Sequence, residues 1–344
     1  MPRPPLTEFD RHFRRLARDV KPRLGFTRRE AVHFSEWQNR TRAAVVRQLK
    51  MPHDPARLLG VETLGAEDAG DHIRERVRLR TESDLWVPAY VLRPKRGGAR
   101  RRPAVLALHG HGPGKRVPAG LEPVVNGERD YGVQAVRNGC VALVPDMRGF
   151  GELMAAHDQA DPRATQSCLI LTAWANMLGF TAMGMRIHDL RCCLDYLETR
   201  PDVEPRRLWA VGHSGGGMAA VFLAAIDARV SATVCSGYAC LWRHSLMDMD
   251  HCSCNFVPGL LTLIEMPDLL GLIAPRPLLL VAGRQDPLFP LPGVKMAYAR
   301  ARAMYAAAGA PEGVELVVGP AGHRFYAARV WPWLREQKPG KPKP

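Results

Sequence analysis

The chain has 344 residues, a formal net charge of +14 and 46% hydrophobic residues, ample for a large folded core. The basic balance raises nucleic acid, a membrane surface or an anionic substrate as partners. The arginines are scattered, no nucleic-acid motif accompanies them and no apolar stretch reaches 18 residues, so neither nucleic acid nor a membrane is expected as a partner.

Residues 1–58 are polar, arginine-rich and helically spaced at Phe9, Phe13, Leu16 and Val20, which predicts two or three helices packed on one side of a main domain. No apolar leader opens this segment, and a cytoplasmic location is expected. Residues 73–92 alternate apolar and polar on both sides of a short turn, the pattern of an antiparallel hairpin at a sheet edge. Residues 97–102 read as a basic, glycine-containing surface turn. The expected division is therefore an N-terminal helical extension (1–72), a main domain (73–335) and a disordered tail (336–344).

From residue 104 strands alternate with helices. Apolar runs at 104–108, 141–145, 208–212, 230–236, 277–283 and 314–318 have the near-continuous character of parallel strands buried on both faces. Helices are expected at 131–138, 185–199, 218–227, 294–308 and 327–336. Two insertions, 150–184 and 237–275, begin at strand C-terminal ends. Open α/β sheets bind ligands at that edge, so both should help to build a substrate pocket.

Residues 212–216 read Gly-His-Ser-Gly-Gly between a strand-like run and a small-residue helical run. This is G-x-S-x-G in the strand–turn–helix setting of a nucleophile elbow, with Ser214 at the turn. A serine needs a base and an orienter, which in this architecture follow in the order acid, then histidine. Asp286 and His323 each stand just past the end of a predicted strand, in that order. The run His109-Gly110-His111-Gly112 after the 104–108 strand supplies a loop whose N–H groups could receive an oxyanion. His111 and Gly215 are the expected donors. Lys115 follows these glycines, but the spacing of a phosphate-binding loop is absent.

Asp146 and Arg148 fit a structural ion pair that fixes the loop after its strand. Arg148 could alternatively hold an anionic substrate group. Trp174, Met177, Trp242 and Phe256 are candidates for the pocket lining or for the core of the insertions. Of eight cysteines, Cys140, Cys168, Cys192 and Cys193 read as reduced packing residues. Cys235, Cys240, Cys252 and Cys254 cluster in sequence with His244 and His251. Packing, a local disulfide and zinc all remain open there, although C-x-C is not the usual zinc half-site.

With these motifs in place, the chain resembles the α/β-hydrolase superfamily, and within it the acetyl xylan esterase-like and dienelactone hydrolase-like esterases. The similarity runs over residues 73–335 through "LHGHGPGK", "VPDMRGFGE", "GHSGGGM", "IAPRPLLLVAGRQDPLFP" and "GPAGH". It implies an α/β-hydrolase fold, with a mostly parallel central sheet flanked by helices, an N-terminal helical extension and an inserted cap-like region. It makes Ser214 the nucleophile, Asp286 the orienter and His323 the base, with His111 and Gly215 as oxyanion donors. Trp174, Trp242, Phe256 and Arg148 are candidate substrate contacts. The expected activity is cleavage of a small carboxylic ester of acetyl type, on a carbohydrate or another alcohol, with no metal or organic cofactor. Dienelactone hydrolases proper carry cysteine at the Ser214 position, and glucuronoyl esterases carry arginine where Gly215 stands. The alternatives are a prolyl-oligopeptidase-like peptidase, for which a propeller is missing, and a non-catalytic binding protein on a hydrolase scaffold.

Overall fold

Nine strands build one sheet: β1 (Gly60–Asp68), β2 (His72–Arg80), β3 (Trp86–Pro94), β4 (Arg102–Leu108), β5 (Val141–Pro145), β6 (Val203–His213), β7 (Val230–Ser236), β8 (Leu278–Gly283) and β9 (Val314–Gly319). The computed structural model describes residues 6–53, 56–95, 101–123 and 128–338. Residues 97–100 of the predicted surface turn and 339–344 of the predicted tail lie outside the described residues.

The strand order is β1-β2-β3-β5-β4-β6-β7-β8-β9. The first three strands pair antiparallel, β3 runs antiparallel to β5, and every pairing from β5 through β4 to β9 is parallel. Strands β5, β7 and β8 are buried at every position, as expected of strands covered on both faces. Alternation along β4 divides the interior in two. Ala104, Leu106 and Leu108 face one apolar cluster, whereas Val105 and Ala107 face the other.

The helices are α1 (Glu8–Asp19), α2 (Phe34–Leu49), α3 (Tyr131–Arg137), α4 (Ala156–Ala160), α5 (Cys168–Met177), α6 (Ala182–Thr199), α7 (Gly215–Ile226), α8 (Leu260–Leu263), α9 (Met266–Gly271), α10 (Leu291–Ala307) and α11 (Ala327–Glu336). Residues of α3 and α11 fill one face of the sheet, and those of α2, α6, α7, α9 and α10 fill the other. No single helix among the described residues is long and apolar enough to cross a membrane.

Helix α2 is fastened to the main domain by polar side chains that reach carbonyls left over at helix ends. Gln38 Nε2 donates to Ala274 O at 2.6 Å, and Arg42 Nη2 donates to Leu272 O at 2.9 Å. The helical segment does not extend to residue 72. Residues from Gly60 onward form β1, so the predicted hairpin lies second and third from the sheet edge rather than at it. An edge strand has little buried surface, and the apolar residues of β1, Val61 and Leu64, are exposed. That left no apolar alternation to read.

Helix α6 starts three residues before its predicted position because Thr181 caps it, its hydroxyl accepting from Gly184 N at 2.9 Å. A Cβ on Gly184 would stand 1.9 Å from the Leu49 carbonyl oxygen, so only glycine lets α2 and α6 meet this closely. The first insertion contains α4 and α5 and the second contains α8 and α9. They follow β5 and β7, both at strand C-terminal ends.

Candidate active site

β6 ends at His213 and α7 begins at Gly215, leaving Ser214 alone on the turn with φ 57° and ψ −122°. A serine in this region costs on the order of 1–3 kcal/mol and persists only where its surroundings impose it. The surroundings here are backbone packed on backbone. A Cβ on Gly216 would lie 1.8 Å from the Leu108 carbonyl oxygen, so α7 sits directly against the end of β4. Ser214 N donates to Ser236 O at 2.8 Å, which ties the turn to β7.

The turn after β8 carries Asp286, whose carboxylate is nearly inaccessible. Its Oδ1 accepts from Leu288 N at 2.9 Å and Phe289 N at 3.2 Å, and its Oδ2 lies 2.7 Å from His323 Nδ1. The carboxylate is therefore fixed by its own loop and fixes the imidazole in turn. The His323 ring packs between His213 at 4.6 Å and Phe289 at 5.7 Å, centroid to centroid. His323 Nε2 is buried and has no hydrogen-bond partner among the described residues, while Ser214 and His323 line one cleft of about 320 Å³. The three residues singled out from sequence are thus brought together at one edge of the sheet.

His213, beside the serine, has a different environment. Its Nδ1 lies 3.0 Å from Ser236 Oγ, and burial together with the neighbouring His323 holds its imidazole well below the usual histidine range. It packs as a neutral ring under His323.

The loop after β4 closes over the elbow. A Cβ on Gly110 would stand 3.2 Å from Ser214 Cβ, and one on Gly215 would stand 3.8 Å from His111 N. Gly215 is the first residue of α7, so its N–H is one of those a helix leaves without an internal acceptor. His109 anchors this loop. Its Nε2 accepts from Met147 N at 3.0 Å, which leaves Nδ1–H to donate to Gly110 O at 2.8 Å. Burial pushes this imidazole down to about 4, in keeping with a neutral ring. Asp146 adds a second anchor, with Oδ1 accepting from Lys115 N at 2.7 Å and Oδ2 from Lys115 Nζ at 2.6 Å and Glu152 N at 3.1 Å. Lys115 is consumed by Asp146 and Glu152.

The expected pairing of Asp146 with Arg148 does not form. Arg148 binds Asp189 in a fork, Nε to Oδ2 at 2.7 Å and Nη2 to Oδ1 at 2.8 Å, and also pairs with Glu82. It does not line the cleft. Arg148→Met would leave the buried Asp189 carboxylate with the Thr81 hydroxyl, 2.7 Å away, as its remaining side-chain partner. A loss of about 3–5 kcal/mol in denaturant unfolding is expected, with KM unchanged. A selective rise in KM at constant stability would return Arg148 to the substrate.

Trp174, Trp242 and Phe256 also stand outside the cleft lining. Trp174 and Met177 are exposed on α5, Phe256 is exposed beyond the second insertion's cysteines, and Trp242 is buried in the core. The polar lining comes instead from Arg129, Gln166, Asp250, His251 and Asn255. These lie in loops and turns without periodicity, and sequence reasoning missed them; the position of the two insertions was the available signal. All eight cysteines are free, so no local disulfide forms. Cys235 and Cys240 pack in the core, whereas Cys252 and Cys254 meet His111 and Cys168.

Residues 12–318 match the Abhydrolase family. The chain is 30% identical over 276 residues to "Putative hydrolase YtaP" of Bacillus subtilis (strain 168), covering 78% of this chain and 88% of that protein. Its fold is similar to that of a "putative acetyl xylan esterase" from Bacteroides fragilis NCTC 9343, with a TM-score of 0.80 at 19% identity over 97% of this chain and 95% of the other. It is also similar to a glucuronoyl esterase from Solibacter usitatus, with a TM-score of 0.63 at 17% identity over 88% and 92% of the two chains.

Proposed function

Because the chain belongs to the Abhydrolase family, we propose that it is a serine hydrolase cleaving small carboxylic esters, of acetyl type, on a polar alcohol such as a sugar. The observation that carries this reading is the fixed imidazole. Asp286 holds His323 Nδ1, and the other ring nitrogen is left bare in the cleft that Ser214 lines.

In the proposed reaction His323 Nε2 takes the hydroxyl proton as Ser214 Oγ attacks the ester carbonyl. Asp286 stabilises the imidazolium that results and does not itself take the proton. The N–H groups of Gly215 and His111 receive the charge that develops on the carbonyl oxygen. Each such donor is typically worth on the order of 10²–10³ in rate. His323 then returns the proton to the departing alcohol, and a water activated by the same nitrogen releases the acid from Ser214.

The cleft supports this choice of substrate class. Arg129, Gln166, Asp250, His251 and Asn255 in its lining offer hydrogen-bond partners to a hydroxylated alcohol, and its size suits a sugar-sized group.

The test is reaction with a fluorophosphonate, followed by peptide mass mapping and rates on a panel of p-nitrophenyl esters and acetylated xylosides. Labelling at Ser214, with acetate cleaved faster than longer acyl chains, is expected. An unlabelled Ser214 in folded protein would overturn the reading.

A further inference from the structure

We infer that His111, Cys168, Cys252 and Cys254 form a closed four-ligand site for a zinc ion, which ties the loop after β4 to both insertions. His111 Nε2 and the three Sγ atoms all lie within 4.8 Å of one another. Two of the separations are 3.2 Å, from His111 Nε2 to Cys254 Sγ, and 3.5 Å, from Cys254 Sγ to Cys252 Sγ. Tetrahedral zinc with bonds of about 2.3 Å to sulfur and 2.0–2.1 Å to nitrogen sets its ligand atoms roughly 3.5–3.8 Å apart. Those two separations stand close to that spacing, and none in the cluster exceeds 4.8 Å. Three thiolates and one imidazole are also the donor set that selects zinc among common divalent ions.

Packing alone does not account for this meeting. The four residues come from three distant segments: the β4 loop, the first turn of α5, and the turn at Ser253–Asn255. Thiols are weak hydrogen-bond partners and gain little by facing one another. Gln166 borders the cluster, its Nε2 lying 3.9 Å from Cys252 Sγ, so an outer amide N–H is available to donate to that sulfur.

Arg186 provides the independent observation. It is 1% exposed, and among the described residues it makes no ion pair with a carboxylate. Its Nε donates to Arg148 O at 3.0 Å, its guanidinium lies 4.7 Å from the Phe150 ring centroid, and its Nη2 sits 3.3 Å from Cys168 Sγ. A buried cation requires a compensating anion. Three thiolates around Zn²⁺ with a neutral imidazole carry a net charge of −1, and the Arg186 guanidinium cancels it. Neutral thiols would leave that charge uncompensated.

Four protein ligands leave no open coordination position, so the metal is structural rather than a reagent. Its effect is positional. It pins the His111 side chain while the backbone nitrogen of the same residue lies beside the elbow. That last step rests on the function proposed above, whereas the metal site does not.

The test is metal analysis of the full-length chain purified under reducing conditions without chelators. One zinc per chain is expected in the wild type and in Cys140→Ala, with loss of zinc in Cys252→Ser and Cys254→Ser. If those variants fail to fold, wild-type chain produced with cobalt in place of zinc decides. Thiolate-to-cobalt charge-transfer absorption and intense tetrahedral ligand-field bands are expected. Metal-free wild type that takes up neither Zn²⁺ nor Co²⁺ would overturn the site, as would a disulfide among Cys168, Cys252 and Cys254 in intact-mass and peptide analysis.

Discussion

Ser214→Ala is expected to lower kcat for p-nitrophenyl acetate by roughly 10⁶-fold while leaving the melting transition almost unchanged. The elbow backbone is imposed from outside the serine, by α7 lying on the end of β4 and by the Ser214 N–H bond to β7. Alanine meets the same strained φ with the same Cβ, so the turn has no reason to relax. What disappears is the atom that forms the acyl-enzyme. Turnover left above the uncatalysed rate, typically 10³–10⁴-fold, would come from binding and the oxyanion donors alone. The same logic fixes the outcome of a double variant. Ser214→Ala combined with His323→Ala should be no slower than either single change, because the two groups act in one step. Steady-state kinetics on the three proteins checks both statements. A Ser214→Ala variant retaining a tenth of the activity would place the nucleophile elsewhere.

The site was legible in sequence to the extent that local backbone geometry dictated residue type. Gly212 and Gly216 are forced by contacts with neighbouring backbone, so the elbow announces itself as a string of letters. Strands β5 and β7 were placed to the residue because burial on both faces requires an unbroken apolar run. Edge strand β1 gave no such signal, since none of its residues is buried and most are exposed.

Features built by long-range meetings were harder to see. Arg148 had a plausible neighbour in Asp146, but its partners are Asp189 on α6 and Glu82 in the β2–β3 turn, and no local pattern encodes that choice. The C-x-C of Cys252 and Cys254 was visible, yet the cluster is completed by Cys168 and His111 rather than by the nearer Cys235, Cys240, His244 or His251. His111 was noticed for its backbone N–H, and its ring turned out to have a separate environment. Aromatic residues in the insertions carried no directional information. Trp174 points to solvent and Trp242 to the core.

Asp286→Asn is expected to reduce kcat by about 10⁴-fold with little change in fold. The reason is proton placement. The substituted amide could keep its carbonyl oxygen toward Leu288 N and Phe289 N, where Asp286 now accepts two bonds. Its NH₂ group would then face His323 Nδ1, at the position where the carboxylate oxygen stands 2.7 Å away. A donor in that place makes Nδ1 the acceptor and moves the ring proton to Nε2, the nitrogen required to be bare for it to deprotonate Ser214. The imidazole stays in position between His213 and Phe289 but presents the wrong atom. KM should therefore change little while kcat collapses, and hydroxide should recover part of the rate as pH rises, because solvent base replaces the disabled histidine. A pH–rate profile of the variant from neutral to alkaline conditions measures this. A loss of less than tenfold would mean that stacking alone orients His323, and that the carboxylate serves the loop of residues 286–289 rather than the reaction.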